Sequence, residues 1–445
     1  MSKLIEQERF TCAIGALQTV VAIPKAVPIL HSGPGCGMMI QGFYGSGNYY
    51  AGGSASPCTN FGENEVVFGG TERLKGLIEN TYKILDTDLQ VVLTGCTAGI
   101  VGDDVESIVS EFRDAGKPIV WVDTSGFKCS NFVAHSDVVK AIIEQYVSRS
   151  EYEHPSRSDK RLVNLFASIP FQDPFWRGNL SEYKRLLEGL GLKVNILFGP
   201  FSGGVEEWKT IPEANFNVLV SPWYGEPIVK YLEERYGQPF TSFRYVPIGA
   251  NETERFLRQV LEFAEDNNAD IDVKTADEFI RREVSAYYEE LDSLATFLLE
   301  FRYGLPNHVH VIHDAGYVIG LCRFLLHETG IVPKEQFIVD GTPEEYRSLL
   351  SELLAQTSDK RMIPVTFDPD AGKAQNSIRK LDNSGRGLIV GSGWDKELAL
   401  EKGFDFISAA HPSPYRLTLT TNYAGFSGGL RVIEDIYNTV LSTYR

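Results

Sequence analysis

The chain has 445 residues, 43% of them hydrophobic and 23% charged, an ordinary balance for globular folds and long enough for about three domains of roughly 150 residues. Its formal charge of −17 opposes a phosphate backbone, and no stripe of Lys and Arg interleaved with aromatics offsets it, so nucleic acid is not an expected partner. No apolar run approaches the roughly 20 residues of a membrane helix, and the first ten residues are polar and mixed in charge; neither a membrane span nor a secretory leader is expected, and the cytoplasm is the expected compartment.

Along the chain, short β-branched apolar segments are each followed by a Gly or polar turn and then by a helical pattern, the signature of parallel α/β layers. The spacing predicts strands near Val27–His31, Gln90–Thr94 and Pro118–Asp123, with GTERLKGLIENTYKIL and DDVESIVSEFRDAG as intervening helices. A polar stretch, Ser148–Lys160, reads as a linker. Strands near Leu162–Ser168, Lys193–Phe198 and Asn217–Ser221 follow. Asn179 with Glu182 reads as a capping box, and Gly189 or Gly191 as the stop of the same helix. Asn251–Tyr303 is rich in helix formers and predicts helices crossing between domains. A third set of strands is expected near His308–His313, Gln336–Val339, Met362–Thr366 and Gly387–Gly391, with Thr342, Pro343 and Glu345 opening a helix and a final helix over Gly429–Tyr444. The expected fold is α/β: three Rossmann-like parallel-sheet domains with helical crossovers, over residues 1–150, 160–305 and 306–445.

Five of the six cysteines, Cys12, Cys36, Cys58, Cys96 and Cys129, lie in the first third; the sixth is Cys322. In a reducing compartment such thiols read as metal ligands, catalysts or free thiols before disulfides. Cys36 (HSGPGCG) and Cys96 (LTGCTAGIVGDD) each follow a predicted strand, at the carboxyl ends where open α/β sheets gather ligands. Cys58 lies between them in a Gly-rich loop, where backbone approaches a bulky inorganic group closely. Such thiolates suit soft metals and iron–sulfur clusters. The spacing matches neither paired zinc motifs nor the compact ferredoxin run, so zinc, thiol chemistry and plain packing of small residues stay open beside a cluster. A cluster held by one chain normally takes four cysteines; with three, a further ligand comes from Cys129 or Ser130, or a second subunit shares the cluster.

HSGPGCG, Cys58 leading to NEVVFGG, GCTAGIVGDDV and the tail TNYAGFSGGLRVIEDIY, in this order, resemble the component I proteins of nitrogenase and their relatives. That resemblance implies an eight-iron (8Fe-7S) P-cluster-type iron–sulfur cluster at the interface of two homologous subunits. Cys36, Cys58 and Cys96 fall on the three cysteine positions of the β-type subunit, and Ser130 on its serine that ligates the oxidised cluster, with Cys129 just before it. Phe68 falls on an apolar residue facing the docking surface of the reductase partner, with core packing as its other reading. The α-type subunit anchors a catalytic metallocluster through a mid-chain cysteine and a late histidine. Here no cysteine separates Cys129 from Cys322, and Cys322 sits in the helical pattern GYVIGLCRFLL, so the β-type is implied. His411 reads as a hydrogen-bonding or surface residue, and Asp103 and Asp104 as N-terminal caps.

No GxxxxGK[ST] motif supplies a P-loop, so ATP-driven electron delivery requires another protein, and GSGNYY has no convincing dinucleotide role. The implied function is electron relay within an α₂β₂ heterotetramer, from an ATP-hydrolysing iron protein to the catalytic metallocluster of a homologous α-type subunit. The chain is short for a molybdenum nitrogenase β subunit, which tilts the expected substrate class toward methylthio-alkanes. Alternatives are the β subunit of a dinitrogen-reducing nitrogenase, a cofactor maturation scaffold, and a redox-free α/β binding module.

Overall fold

The computed structural model describes residues 5–45, 55–148, 157–301, 304–355, 363–382 and 385–443. All of GSGNYY but its first residue, most of the predicted linker, and Met362, Tyr303 and Tyr444 lie outside these residues.

Among the described residues the strands form three sheets in which every ladder is parallel. The first holds β1 (Ala26–His31), β2 (Leu89–Thr94) and β3 (Ile119–Asp123) in that order. The second holds β4 (Leu162–Ala167), β5 (Lys193–Ile196), β6 (Phe216–Val220) and β7 (Phe240–Phe243) in the order β5-β4-β6-β7. The third holds β8 (His308–His313), β9 (Val332–Pro333), β10 (Gln336–Ile338), β11 (Val365–Phe367), β12 (Gly387–Gly391) and β13 (Asp405–Ser408) in the order β11-β10-β8-β12-β13, with β9 also paired to β8. β1, β2, β4, β6, β8 and β12 are buried at every position. Helices cover both faces of such sheets, which is why the strands read as near-continuous apolar runs. The expected strands appear within a few residues of their predicted ends. β7, β9 and β13 carry no such signal: each is at most four residues long, and β7 and β13 end their sheets' strand orders, where one flank lacks a partner.

The predicted capping box at Asn179 is not formed. The helix begins earlier, at Trp176, with Asp173 accepting from the Phe175 amide at 2.7 Å. Asn179 is buried inside the helix and joins the sheets instead. Its amide donates to Asp173 (2.9 Å) and to the Tyr317 hydroxyl (2.7 Å), and its Oδ1 accepts from the backbone of Tyr423 (2.9 Å) and Ala424 (3.0 Å). That fully satisfied network outcompetes a local cap. Thr342 likewise does not take the expected cap role: its hydroxyl donates to buried Asp340, and the helix runs Glu344–Ala355. The stop is as expected, with Gly191 left-handed (φ +88) just beyond the helix end at Gly189. The 251–303 stretch forms two helices, Gly249–Asp266 and Val273–Phe301, broken where Asn268 turns left-handed (φ +53). The final helix starts at Gly425 rather than Gly429; Gly425 has φ +83, and a Cβ there would meet Glu182 at 2.5 Å. This helix packs on both crossing helices and on Trp176–Gly189.

The N-terminal segment straps across to the third sheet. Arg9, buried, donates to both carboxylate oxygens of buried Asp395 at 2.6 Å, while Ser392 N and Gln375 Nε2 complete the shell of Asp395. Removing one partner strands a buried charge. Arg9→Ala is therefore expected to cost about 3–5 kcal/mol in denaturant unfolding; a loss under about 1 kcal/mol would show that the strap does not hold the sheet.

Burial holds His135 down to about 3 and His411 down to about 4, against an ordinary 6.5. The folded chain keeps both neutral where the unfolded chain takes up protons. Their contribution is thus complete above about pH 6.5 and is lost as pH falls toward the folded values. Denaturant unfolding is expected to show stability falling by about 1.4 kcal/mol per pH unit for each histidine between about pH 6 and 4.5. His310, also held down to about 4 by burial, keeps its own share, so His135→Gln with His411→Gln should reduce that slope without abolishing it; an unchanged slope would contradict the assignment.

Candidate iron–sulfur half-site

The register of the first sheet places the predicted cysteines. β1 and β2 pair from Ala26↔Leu89 to His31↔Thr94 and so end together. The chain leaving β1 enters the helix Pro34–Gly45, whose third residue is Cys36, and the chain leaving β2 enters the helix Cys96–Val101 at Cys96. Cys58 reaches the same end along the edge of β1 that β2 leaves free: Leu30 N donates to Pro57 O at 2.8 Å and Thr59 N to Leu30 O at 2.9 Å. All three sulfurs belong to half-buried residues.

Backbone amides point at two of these sulfurs. Asn60 N donates to Cys58 Sγ at 3.4 Å and Gly126 N to Cys96 Sγ at 3.1 Å, while the Cys58 thiol donates to Ser32 O at 3.3 Å. Burial pushes the Cys58 thiol up, the Asn60 amide opposes this, and the nearby Cys36 sulfur adds to it. Cys12 is raised in the same way, first by burial and then, after an opposing amide, by Cys96 and Cys36. The mutual influence places Cys12, Cys36, Cys58 and Cys96 in one neighbourhood.

Ser130 precedes the helix Asn131–Ile142 without capping it, and its backbone bridges Cys12. It thereby joins the cysteine face through Cys12. Cys129 is pushed up to about 11, by burial and then by Asp137 and Cys12.

Among the described residues no three His, Cys, Asp or Glu side chains draw close enough to hold one metal ion. The donors are instead sulfurs spread over one face, with amides turned toward them. Cβ atoms built on Gly33 and Gly35, beside Cys36, would meet nothing within 4 Å, so the backbone there borders open room. This arrangement fits a group several atoms across better than a single ion. The segments carrying the cysteines also expose large apolar side chains: Met38, Met39, Val67, Phe68, Ile100 and Phe127. Phe68, 84% exposed, is not a core residue. These side chains give the cysteine-bearing segments an exposed apolar fringe.

Beneath the face sits a pair that sequence reasoning missed. His31, fully buried, bonds through Nε2 to Asp103 at 2.9 Å, and Asp103 also accepts from Gly70 N at 2.9 and 3.1 Å. Burial lowers His31, with Asp103 opposing. Asp104 is the expected cap, accepting from Ser107 N at 3.1 Å, but Asp103 is not: it ties the end of β1 to the start of the helix Thr71–Ile84. The adjacency of Asp103 and Asp104 hid this split of roles. Cys322 is fully buried in the helix Ala315–Phe324, its thiol pushed up by burial, and His411 is buried beside the third sheet; neither lies with the cysteine face. The crevice where the second and third sheets meet is filled by Asp173, Asp314, Tyr317 and Tyr224 around a cavity of about 20 Å³, room for about one water. No described helix is long and apolar enough to cross a membrane.

The chain matches the family described as nitrogenase component 1 type oxidoreductase over residues 11–441. It is 22% identical to the nitrogenase molybdenum-iron protein beta chain of Clostridium pasteurianum, covering 97% of this chain and 92% of the relative. It is also 22% identical to the nitrogenase iron-molybdenum cofactor biosynthesis protein NifE of Methanococcus maripaludis, covering 96% and 83%. A solved structure of nitrogenase Cp1 at pH 6.5 superposes with a TM-score of 0.77 at 21% identity, covering 99% of this chain and 94% of that one; the fold is shared.

Asp103→Ala leaves the His31 ring and the Gly70 amide unpartnered in the interior. The expected loss is about 1–3 kcal/mol for each stranded group, with faster amide hydrogen exchange at Gly70. Exchange unchanged at Gly70 would show that Asp103 does not hold this loop.

Proposed function

Because this chain belongs to the nitrogenase component 1 type oxidoreductases, the family it matches over residues 11–441, we propose that it is the β-type subunit of a nitrogenase-like reductase. In this reading Cys36, Cys58 and Cys96 hold one half of a P-cluster-type (8Fe-7S) iron–sulfur cluster, with Ser130 as the further donor. A homologous α-type subunit closes the other half within an α₂β₂ assembly. The carrying observation is that three cysteines from distant segments arrive half-exposed at one end of the β1–β2 pair, with amides turned toward Cys58 and Cys96.

When bound, the cluster stores and passes on electrons. The chain's own residues have simpler tasks. The three thiols ligate as thiolates, releasing their protons on binding. The amides of Asn60 and Gly126 offset negative charge on the sulfurs. The exposed apolar side chains around the cysteines bury against partners and keep water from the cluster, with Phe68 facing an ATP-hydrolysing iron protein that delivers electrons. The polar packing of the Asp173–Tyr317 crevice accords with a catalytic metallocluster housed in the α-type partner.

The favoured substrate class is methylthio-alkanes. Dinitrogen is the alternative, supported by relatives named as molybdenum-iron protein beta chains. A maturation scaffold is the second reading, supported by the NifE relative. Anaerobic assays of the assembled protein with its iron protein and ATP separate them: reduction of a methylthio-alkane supports the first, ammonia formation the second, and iron binding without turnover the scaffold. An assembly free of iron and sulfide would leave only a redox-free binding module.

Cys96→Ala is expected to remove the iron of the assembly and to weaken subunit association by about tenfold or more, as thiolate–iron bonds cross the interface. Full iron content in the variant would refute the ligand assignment.

A further inference from the structure

Cys12 has no part in the proposed ligand set, yet its sulfur and that of Cys96 border one point, which holds them within about 6 Å of each other. A Cβ built on Gly126 would meet Cys12 Sγ at 2.9 Å, Cys12 Cβ at 3.1 Å and Cys96 Sγ at 3.1 Å, and these are the three atoms nearest that point. The two cysteines thus flank one gap that only a glycine leaves open. Two independent anchors hold them there: Cys12 is bridged to Ser130, and Cys96 Sγ accepts the Gly126 amide. Cys12 is exposed and Cys96 half-buried, so a small reagent reaches both. Of the other thiols, Cys58 donates to Ser32 O and Cys322 is enclosed in its helix; Cys36 and Cys129 also lie near Cys12, and the peptides below separate them from Cys96.

We propose that Cys12 and Cys96 form a reversible disulfide in the chain before iron and a partner subunit are in place. The oxidant is a low-molecular-weight disulfide such as oxidised glutathione. The Cys96 thiolate attacks one of its sulfurs, forming a mixed disulfide and expelling one glutathione thiolate. Cys12 then gives up its proton, attacks the Cys96 sulfur and expels the second glutathione. Two cysteine thiols lose two electrons and two protons, and one disulfide is reduced to two thiols. The bond withholds Cys96 from iron until a thiol reductant reopens it. It goes beyond the reductase reading, and its detection does not require that a cluster ever binds.

The test uses the full chain, stripped of iron by a chelator under anaerobic conditions and then exposed to oxidised glutathione. Trypsin places Cys12 alone in residues 10–25 and Cys96 alone in residues 84–113, while Cys36 and Cys58 share residues 26–73. Non-reducing mass spectrometry is expected to find 10–25 joined to 84–113 with the loss of two hydrogens. In Cys12→Ser the joined peptide should vanish and Cys96 should persist as its glutathione adduct; Cys129→Ser should retain the link. A free Cys12 beside a glutathione-capped Cys96 in the wild-type chain would overturn the proposal, as would a joined peptide that disappears in Cys129→Ser.

Discussion

The structure turns on the parallel pairing of β1 with β2. Side chains alternate along a strand, and parallel neighbours run in the same direction, so a register that ends His31 opposite Thr94 delivers both outgoing chains to one rim. Cys36 and Cys96 need no long-range search to become neighbours, since the hydrogen-bond ladder brings them there. Segment 57–59 pairs along the edge of β1 and adds Cys58. The His31–Asp103–Gly70 contacts then join the ends of β1 and β2 to the helix behind the exposed Val66–Phe68 surface. Sulfur positions and the exposed apolar side chains thus share one base.

That base also accounts for the one-sidedness of the site. Three sulfurs spread over one face lie beside a fringe of exposed apolar residues. Two buried polar clusters elsewhere are paired within the chain: Asn179 with Asp173, Tyr317 and the 423–424 backbone, and Arg9 with Asp395. The interior crevice is closed by its own side chains, whereas the cysteine rim stays open.

Much of this was legible in the residues. Continuous β-branched runs such as VPILH and LQVVLT announce strands buried on both faces, and Gly or polar turns mark their ends. Cys36, Cys58 and Cys96 were recognisable from their positions after strands or in a glycine-rich loop, and from motif resemblance. What was hidden depends on contacts remote in sequence. Asn179 looks like a cap because Glu182 follows three residues later, yet its partners Tyr317 and Tyr423 lie far along the chain. Asp103 and Asp104 look alike, but only Asp103 turns inward to His31. Cys12 precedes no strand and belongs to no metal-ligand spacing; only the fold brings it near Cys96, where both sulfurs border the space over Gly126. Short edge strands such as β7 and β13 lack the apolar run that would reveal them.

The central claim is that the sulfurs of Cys36, Cys58 and Cys96 meet iron at a surface shared with a second chain. Anomalous diffraction at the iron absorption edge, on crystals of the assembly purified anaerobically, tests it most directly. The account predicts iron peaks within bonding distance of all three sulfurs, at a boundary between two chains. Peaks confined to the partner, or three sulfurs packed against carbon with no iron near them, would contradict it.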